Sequence, residues 1–122
     1  MNAGPKERRR RYRFGYWAET ACVWLLRLKC YRILARRHRN AAGEIDIVAR
    51  RGGTVAFIEV KARRDLALAS ESLSAAQRRR IRRAAQLFLQ KTPYLQGLDC
   101  RFDMMLVTPR RLPHHEIDAW RD

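Results

Sequence analysis

The sequence has only three cysteines, Cys22, Cys30 and Cys100, and no C-x-x-C pair. An odd, dispersed set supports neither a disulfide framework nor a thiolate zinc cluster, and the reducing cytoplasm is the default compartment. Histidine is equally scarce. His38, His114 and His115 are too few and too scattered for an imidazole metal site, and the adjacent pair would point to opposite faces of a strand; they read as surface or nucleic-acid contacts. Long apolar runs are missing as well. The best one, "ACVWLLRL", lies close behind Glu19 and is cut by Arg27, far short of the ~18 apolar residues of a membrane span. The basic opening "MNAGPKERRRRYR" lacks the roughly 7 to 15 uninterrupted apolar residues that would follow it in a secretory signal. A soluble, cytoplasmic protein that is not exported and has no membrane partner is expected.

Acidic residues are few, 12 against 27 Lys plus Arg, which leaves +15 and a pI near 11.2. A field of that sign and size favours a polyanion as partner. Of the cations 23 are Arg and four are Lys, and the arginine fork suits bidentate phosphate contact. Nucleic acid is therefore the expected partner. The competing reading is a merely solvated basic face, since an arginine-biased genome would give the same excess. The chain is 47% apolar over 122 residues, enough for one hydrophobic core and too short for two.

Residues 1–10 combine Gly4, Pro5 and the start of the run Arg8, Arg9, Arg10 and Arg11. With nothing to bury, they read as a flexible basic arm able to grip phosphates, ahead of one domain over 11–122. From about Tyr12 to Lys29, Phe14, Trp17, Ala18, Ala21, Leu25 and Leu28 recur at three- and four-residue steps, predicting a helix with one buried face. "YRILARRHRN" shortens the period to two and predicts a strand ending near Arg39. "EIDIVAR" and "TVAFIEVKA" are two more, joined through Gly52 and Gly53 as a tight hairpin. Ser74 and Gln77 form an S-x-x-Q capping box ahead of a second helix to about Lys91, stopped by Pro93. Its polar face carries Arg78, Arg79, Arg82 and Arg83, either a phosphate-binding stripe or a solvated surface. "RFDMMLV" predicts a further strand, and "HHEIDAW" an edge strand. The element order implies an α/β sandwich on a small mixed sheet.

The hairpin carries charge in its middle. A two-residue turn at Gly52 and Gly53 sets Asp46 opposite Glu59 and Glu44 opposite Lys61, with Asp46, Glu59, Lys61, Val48, Val55 and Phe57 on one face. Ile45, Ile47, Ile58 and Val60 then supply the core face. Facing like charges on a sheet destabilise it, since opposed Cβ atoms lie only about 4.5–5.5 Å apart. A cation between them removes the penalty, and Mg²⁺ takes hard carboxylate oxygens while keeping waters. Lys61 beside such an ion would orient an attacking water or offset charge on a phosphorane. The competing reading is a surface cluster in which Lys61 bridges Glu44 and Glu59, an arrangement worth little.

An Asp separated by 12 residues from an E-x-K, preceded by "GEID" and by a helix bearing Glu19 in "GYWAETA", resembles the PD-(D/E)xK nucleases, and among them the archaeal-type Holliday junction resolvases. "GEIDIVAR", "FIEVKAR" and "RFDMMLV" resemble more closely still the small uncharacterised bacterial YraN-like family, from about Phe14 onward. The resemblance implies a restriction-endonuclease-like three-layer α/β sandwich, Asp46 and Glu59 as ligands of Mg²⁺ or Mn²⁺, Lys61 as the catalytic lysine and Glu19 as a further acidic site residue. It implies an endonuclease acting on DNA, possibly branched or junction DNA, and possibly a homodimer. Ile45 stands where the named motif has its proline. The alternative is a non-catalytic nucleic-acid-binding protein, and a weaker one lays the basic arm and first helix on anionic lipid.

Overall fold

A proline opens the first helix, where its missing N–H goes unmissed and its fixed φ suits the first turn. In the computed structural model, which describes residues 5–64 and 73–121, with side chains of this helix from Gly15, the elements are α1 (Pro5–Leu28), β1 (Arg32–Asn40), β2 (Gly43–Arg51), β3 (Thr54–Ala62), α2 (Ala75–Gln90), a 3₁₀ turn (Pro93–Leu95), β4 (Asp99–Val107) and β5 (His114–Glu116). The backbone of residues 5–10, expected as a flexible arm, is continuous with α1; residues 1–4 lie outside the described residues. The helix ends because Cys30 adopts a left-handed φ of 70°. Tyr31 N then donates to Leu26 O at 2.9 Å and Cys30 N to Arg27 O at 3.0 Å, the paired bonds that satisfy the last carbonyls of a helix.

The five strands lie in chain order, β1-β2-β3-β4-β5, antiparallel except for the parallel β3–β4 pair. That one parallel step needs a crossover, and the segment between β3 and β4 carries α2. Ser74 starts α2 with the capping box expected from sequence, its Oγ accepting from Gln77 N while Gln77 Oε1 accepts from Ser74 N. At the β2–β3 turn Gly52 takes φ +59°, the positive dihedral a two-residue hairpin demands. At the β1–β2 turn Asn40 Oδ1 accepts from Ala42 N and its Nδ2 donates to Ala84 O of α2, so one amide fixes both a turn and a helix.

The sheet is covered on both faces. Ala18, Cys22, Val23 and Leu26 of α1 pack on Ile47, Ala49, Ala56, Ile58, Met105 and Val107. Ala84, Ala85 and Phe88 of α2 pack on Ile45, Val48, Val55, Phe57 and Leu95. The result is a three-layer α/β sandwich on an open mixed sheet, each fully buried Leu, Val or Phe contributing about 1.5–3 kcal/mol. No described helix is long and apolar enough to cross a membrane.

Two expectations about burial are corrected here. Helix α1 does not bury the stripe through Trp17 and Leu28: both are exposed, and its core face is Ala18, Cys22, Val23 and Leu26. The helix is apolar on two sides, so periodicity alone could not choose between them. Nor do Ile45 and Ile47 share a face, because they belong to clusters on opposite sides of the sheet.

Candidate active site

Strict alternation would put Ile45 with Ile47, and the break between them is local. Ile45 and Val48, three residues apart, both face α2, while Ile47 faces α1. The same break occurs on β1. Arg36 pairs with Ile47 and His38 with Ile45, and between them Arg37 takes a left-handed φ of 48°. Consecutive Arg36 and Arg37 therefore both reach Glu19 on α1, whereas His38 packs edge-on against Phe88 of α2 at 4.9 Å. A left-handed non-glycine residue costs of order 1–2 kcal/mol. Contacts with α1 help hold Arg37 there: its Nε donates to Glu19 Oε2 at 2.8 Å, and its guanidinium lies 5.4 Å from the Tyr16 ring centroid.

This double irregularity aims Asp46 at the α1 side. The β2–β3 ladder runs in the expected register from Arg51 opposite Thr54 to Ile47 opposite Ile58. Beyond it the Asp46 side chain joins the ladder, its Oδ2 accepting the Val60 N–H at 2.8 Å. Asp46 lines an open cleft of about 480 Å³ with Glu19, Arg37, Arg39, Glu44, Val60 and Ala62. Acids and arginines thus face each other across one opening.

Asp46 and Glu59 are in hydrogen-bond contact through their carboxyl groups. Burial, the Asp46 charge and this bond together raise Glu59 to about 8, against which the Lys61 ammonium pulls downward. Burial likewise raises Asp46, with the Val60 N–H and the Glu59 bond opposing it and the Glu19 and Glu44 charges adding to it. Two coupled, half-buried carboxyls share a proton when no cation separates them. Burial also pushes the Cys22 thiol, beneath Glu19 and Asp46, up to about 12, so it stays a protonated, inert core residue.

Glu19 reaches the site as a buried acid whose two oxygens are engaged: Oε1 accepts from Arg36 Nε at 3.1 Å and Oε2 from Arg37 Nε at 2.8 Å. Its immediate work is to hold Arg36 and Arg37, the second of which lines the cleft. Among the described residues no group of three or more His, Cys, Asp or Glu is arranged to hold a metal ion. Asp46 and Glu59 offer a pair of hard carboxylates, the kind of oxygen donor that suits an ion such as Mg²⁺, which keeps several waters.

The cationic residues are spread out. On α2, Arg79 and Arg83 are exposed together with Arg80, while Arg78 and Arg82 are half-buried; Arg78 Nη1 donates to Leu73 O. Arg8, Arg9, Arg10 and Arg11 lie on the first turns of α1, their side chains outside the described residues.

A second polar centre, in no way suspected from sequence, lies under α1. Asp103 is completely buried and accepts from Arg101 Nε and Nη2, both at 2.8 Å, from the Asp118 N–H at 2.9 Å and from His115 Nε2 at 2.7 Å. Lys29 Nζ lies 2.6 Å from His115 Nδ1. Since an ammonium can only donate, Nδ1 accepts and the ring proton sits on Nε2, toward Asp103. Arg101 Nη2 also donates to the Tyr31 hydroxyl at 2.6 Å. His115, expected at the surface, is instead 3% exposed at its side chain. The signal was present in "RFDMMLV", where Asp103 shares its strand face with the core residues Met105 and Val107.

Comparison with known proteins gives a consistent answer. The model of the uncharacterised protein family UPF0102 matches residues 18–107. A UPF0102 protein of Parvibaculum lavamentivorans is 53% identical over 110 residues, 90% of this chain and 83% of that protein. One from Paramagnetospirillum magneticum is 50% identical over 127 residues, covering 99% and 98% of the two chains. A third, from Methylobacterium nodulans, is 46% identical over 118 residues, 95% and 92% of the two.

Proposed function

This chain belongs to the uncharacterised protein family UPF0102, the YraN-like group, whose description assigns no chemistry, and we propose from its own residues that it is a metal-dependent endonuclease hydrolysing phosphodiester bonds of DNA. The observation that carries the reading is the coupling of two half-buried carboxyls, Asp46 and Glu59, each perturbing the other, with the Lys61 charge acting on Glu59. Such a pair is unfavourable in a metal-free sheet and favourable around a divalent cation. Of the pair, Asp46 lines a cleft that Arg37 and Arg39 line as well.

Asp46 and Glu59 would hold Mg²⁺ or Mn²⁺, which when bound supplies Lewis-acid polarisation of the phosphoryl oxygen and an acidified water. The chain's own groups do the rest. Lys61 donates to the water or to oxygens that gain charge as the phosphorane forms. Arg37 and Arg39 neutralise the entering phosphodiester and set its orientation in the cleft, a task suited to the guanidinium fork. Glu19 positions Arg36 and Arg37. The exposed Arg79 and Arg83 of α2, on the other face of the sheet, add a second cationic surface for phosphates away from the cleft.

The test is cleavage of end-labelled duplex, flap and four-way-junction DNA with Mg²⁺ or Mn²⁺. Wild type is expected to cut at least one, and Lys61→Ala to lose about 100-fold or more in rate, the scale of losing one aimed charge. Folded wild-type protein that cuts none of them ends the proposal. Salt-sensitive DNA binding that survives Asp46→Asn and Glu59→Gln unchanged, without any cleavage, would establish the non-catalytic alternative in its place.

A further inference from the structure

Helix α1 keeps a second apolar stripe that nothing in the fold described above uses. Trp17 is 69% exposed, Trp24 60% and Leu28 80%, and Ala21 between them is half-buried. Residues 17, 21, 24 and 28 follow steps of four, three and four, the seam by which one helix packs along another. Those exposures leave about 400 Å² of apolar side chain in water, within the range of the largest patch on a typical monomer, which is often functional. That is about half of the ~800 Å² each partner brings to a stable interface, before flanking residues are added.

From this stripe we infer that α1 is the contact between two copies of the chain, packed antiparallel about a two-fold axis. A two-fold contact requires a patch complementary to itself, and this one is. With the axis passing between Ala21 and Trp24, the small Ala21 of one copy lies opposite the large Trp24 of the other, and Leu28 lies opposite Trp17. Large against small at facing positions is how packed layers interdigitate. Arg27 flanks the seam with its guanidinium 5.4 Å from the Trp24 ring centroid, which fixes the indole while its charge stays at the rim. A nucleic-acid stacking surface would use exposed aromatics too, but has no need of a leucine or of helical seam spacing. The inference is independent of the nuclease reading.

Sedimentation equilibrium of the full chain tests it. Each copy carries +15, so screening should strengthen self-association as salt rises, the opposite of nucleic-acid binding. Wild type is expected to shift from 14.4 kDa to twice that mass with concentration. Trp24→Glu should weaken the dimer by about 30-fold or more, as for a hot-spot aromatic, with an unchanged melting temperature in dilute solution because the side chain is exposed. Ala21→Asp should also dissociate it. Combining Ala21→Asp with Trp24→Lys should restore association, since each Asp then meets the partner's Lys; failure to restore overturns the antiparallel register. Wild type that stays monomeric at every concentration and salt, or a dimer indifferent to Trp24→Glu, overturns the interface. So does a Trp24→Glu variant that loses DNA binding while its mass is unaffected, which would make the stripe a stacking surface.

Discussion

Asp103 shows how much one side chain can organise. It has no exposed surface, yet it collects a guanidinium, an imidazole and a backbone N–H, and so ties β4 to β5 and, through His115 and Lys29, to the end of α1. Removing one partner of a buried charged pair strands the other. Asp103→Ala should therefore cost about 3–5 kcal/mol in denaturant unfolding, while leaving the cleft residues themselves intact. Burial pushes the Asp103 carboxyl up, but the His115, Arg101 and Asp118 bonds outweigh it and hold it below the ordinary carboxylate range. Its stabilisation is present above the unfolded value of 3.8 and is lost as pH falls through the lower folded one. Asp103→Asn should flatten that acid limb. At the cleft, Glu19→Gln keeps the shape but weakens both arginine bonds; under the proposed role it should raise KM for DNA more than it lowers kcat.

At the level of elements, the hairpin was legible because a two-glycine turn between runs of Ile and Val leaves one sensible register, and the ladder from Arg51–Thr54 to Ile47–Ile58 follows it. The α2 start was legible for a similar reason: its capping box is a local interaction between residues three apart. What could not be read was the parity break at Arg37 and Asp46. An arginine in the left-handed region has no signature of its own, since its conformation is set by Glu19 and Tyr16 of a distant helix. The site's acids could thus be singled out from their spacing, but the side of the sheet on which Asp46 opens could not. The buried face of α1 was likewise undetermined, because two apolar stripes of one helix look alike until one meets a sheet. Leu26→Ala on the true core face should cost about 2–5 kcal/mol in denaturant unfolding; Leu28→Ala on the exposed face should cost well under 1 kcal/mol in monomeric protein.

For the molecule as a whole, the raised Glu59 makes stability depend on pH in an unusual direction. Its unperturbed value is 4.5 and its folded value about 8, so the folded state binds more protons between them. The metal-free protein should lose stability as pH rises from about 4.5 to about 8, and Glu59→Gln should remove most of that slope in a thermal-melt series. Mn²⁺ should reverse the trend, stabilising more at the alkaline end, because ligation competes with the protons the pair holds. The seat of Asp46 in the ladder also separates architecture from reactivity. The Val60 N–H asks position 46 only for an oxygen, so an uncharged amide answers it and a methyl group does not. Asparagine there should leave the two strands zipped while abolishing the proposed activity, whereas alanine should let them part, and comparing the two divides what this residue does for shape from what it does under the proposed function.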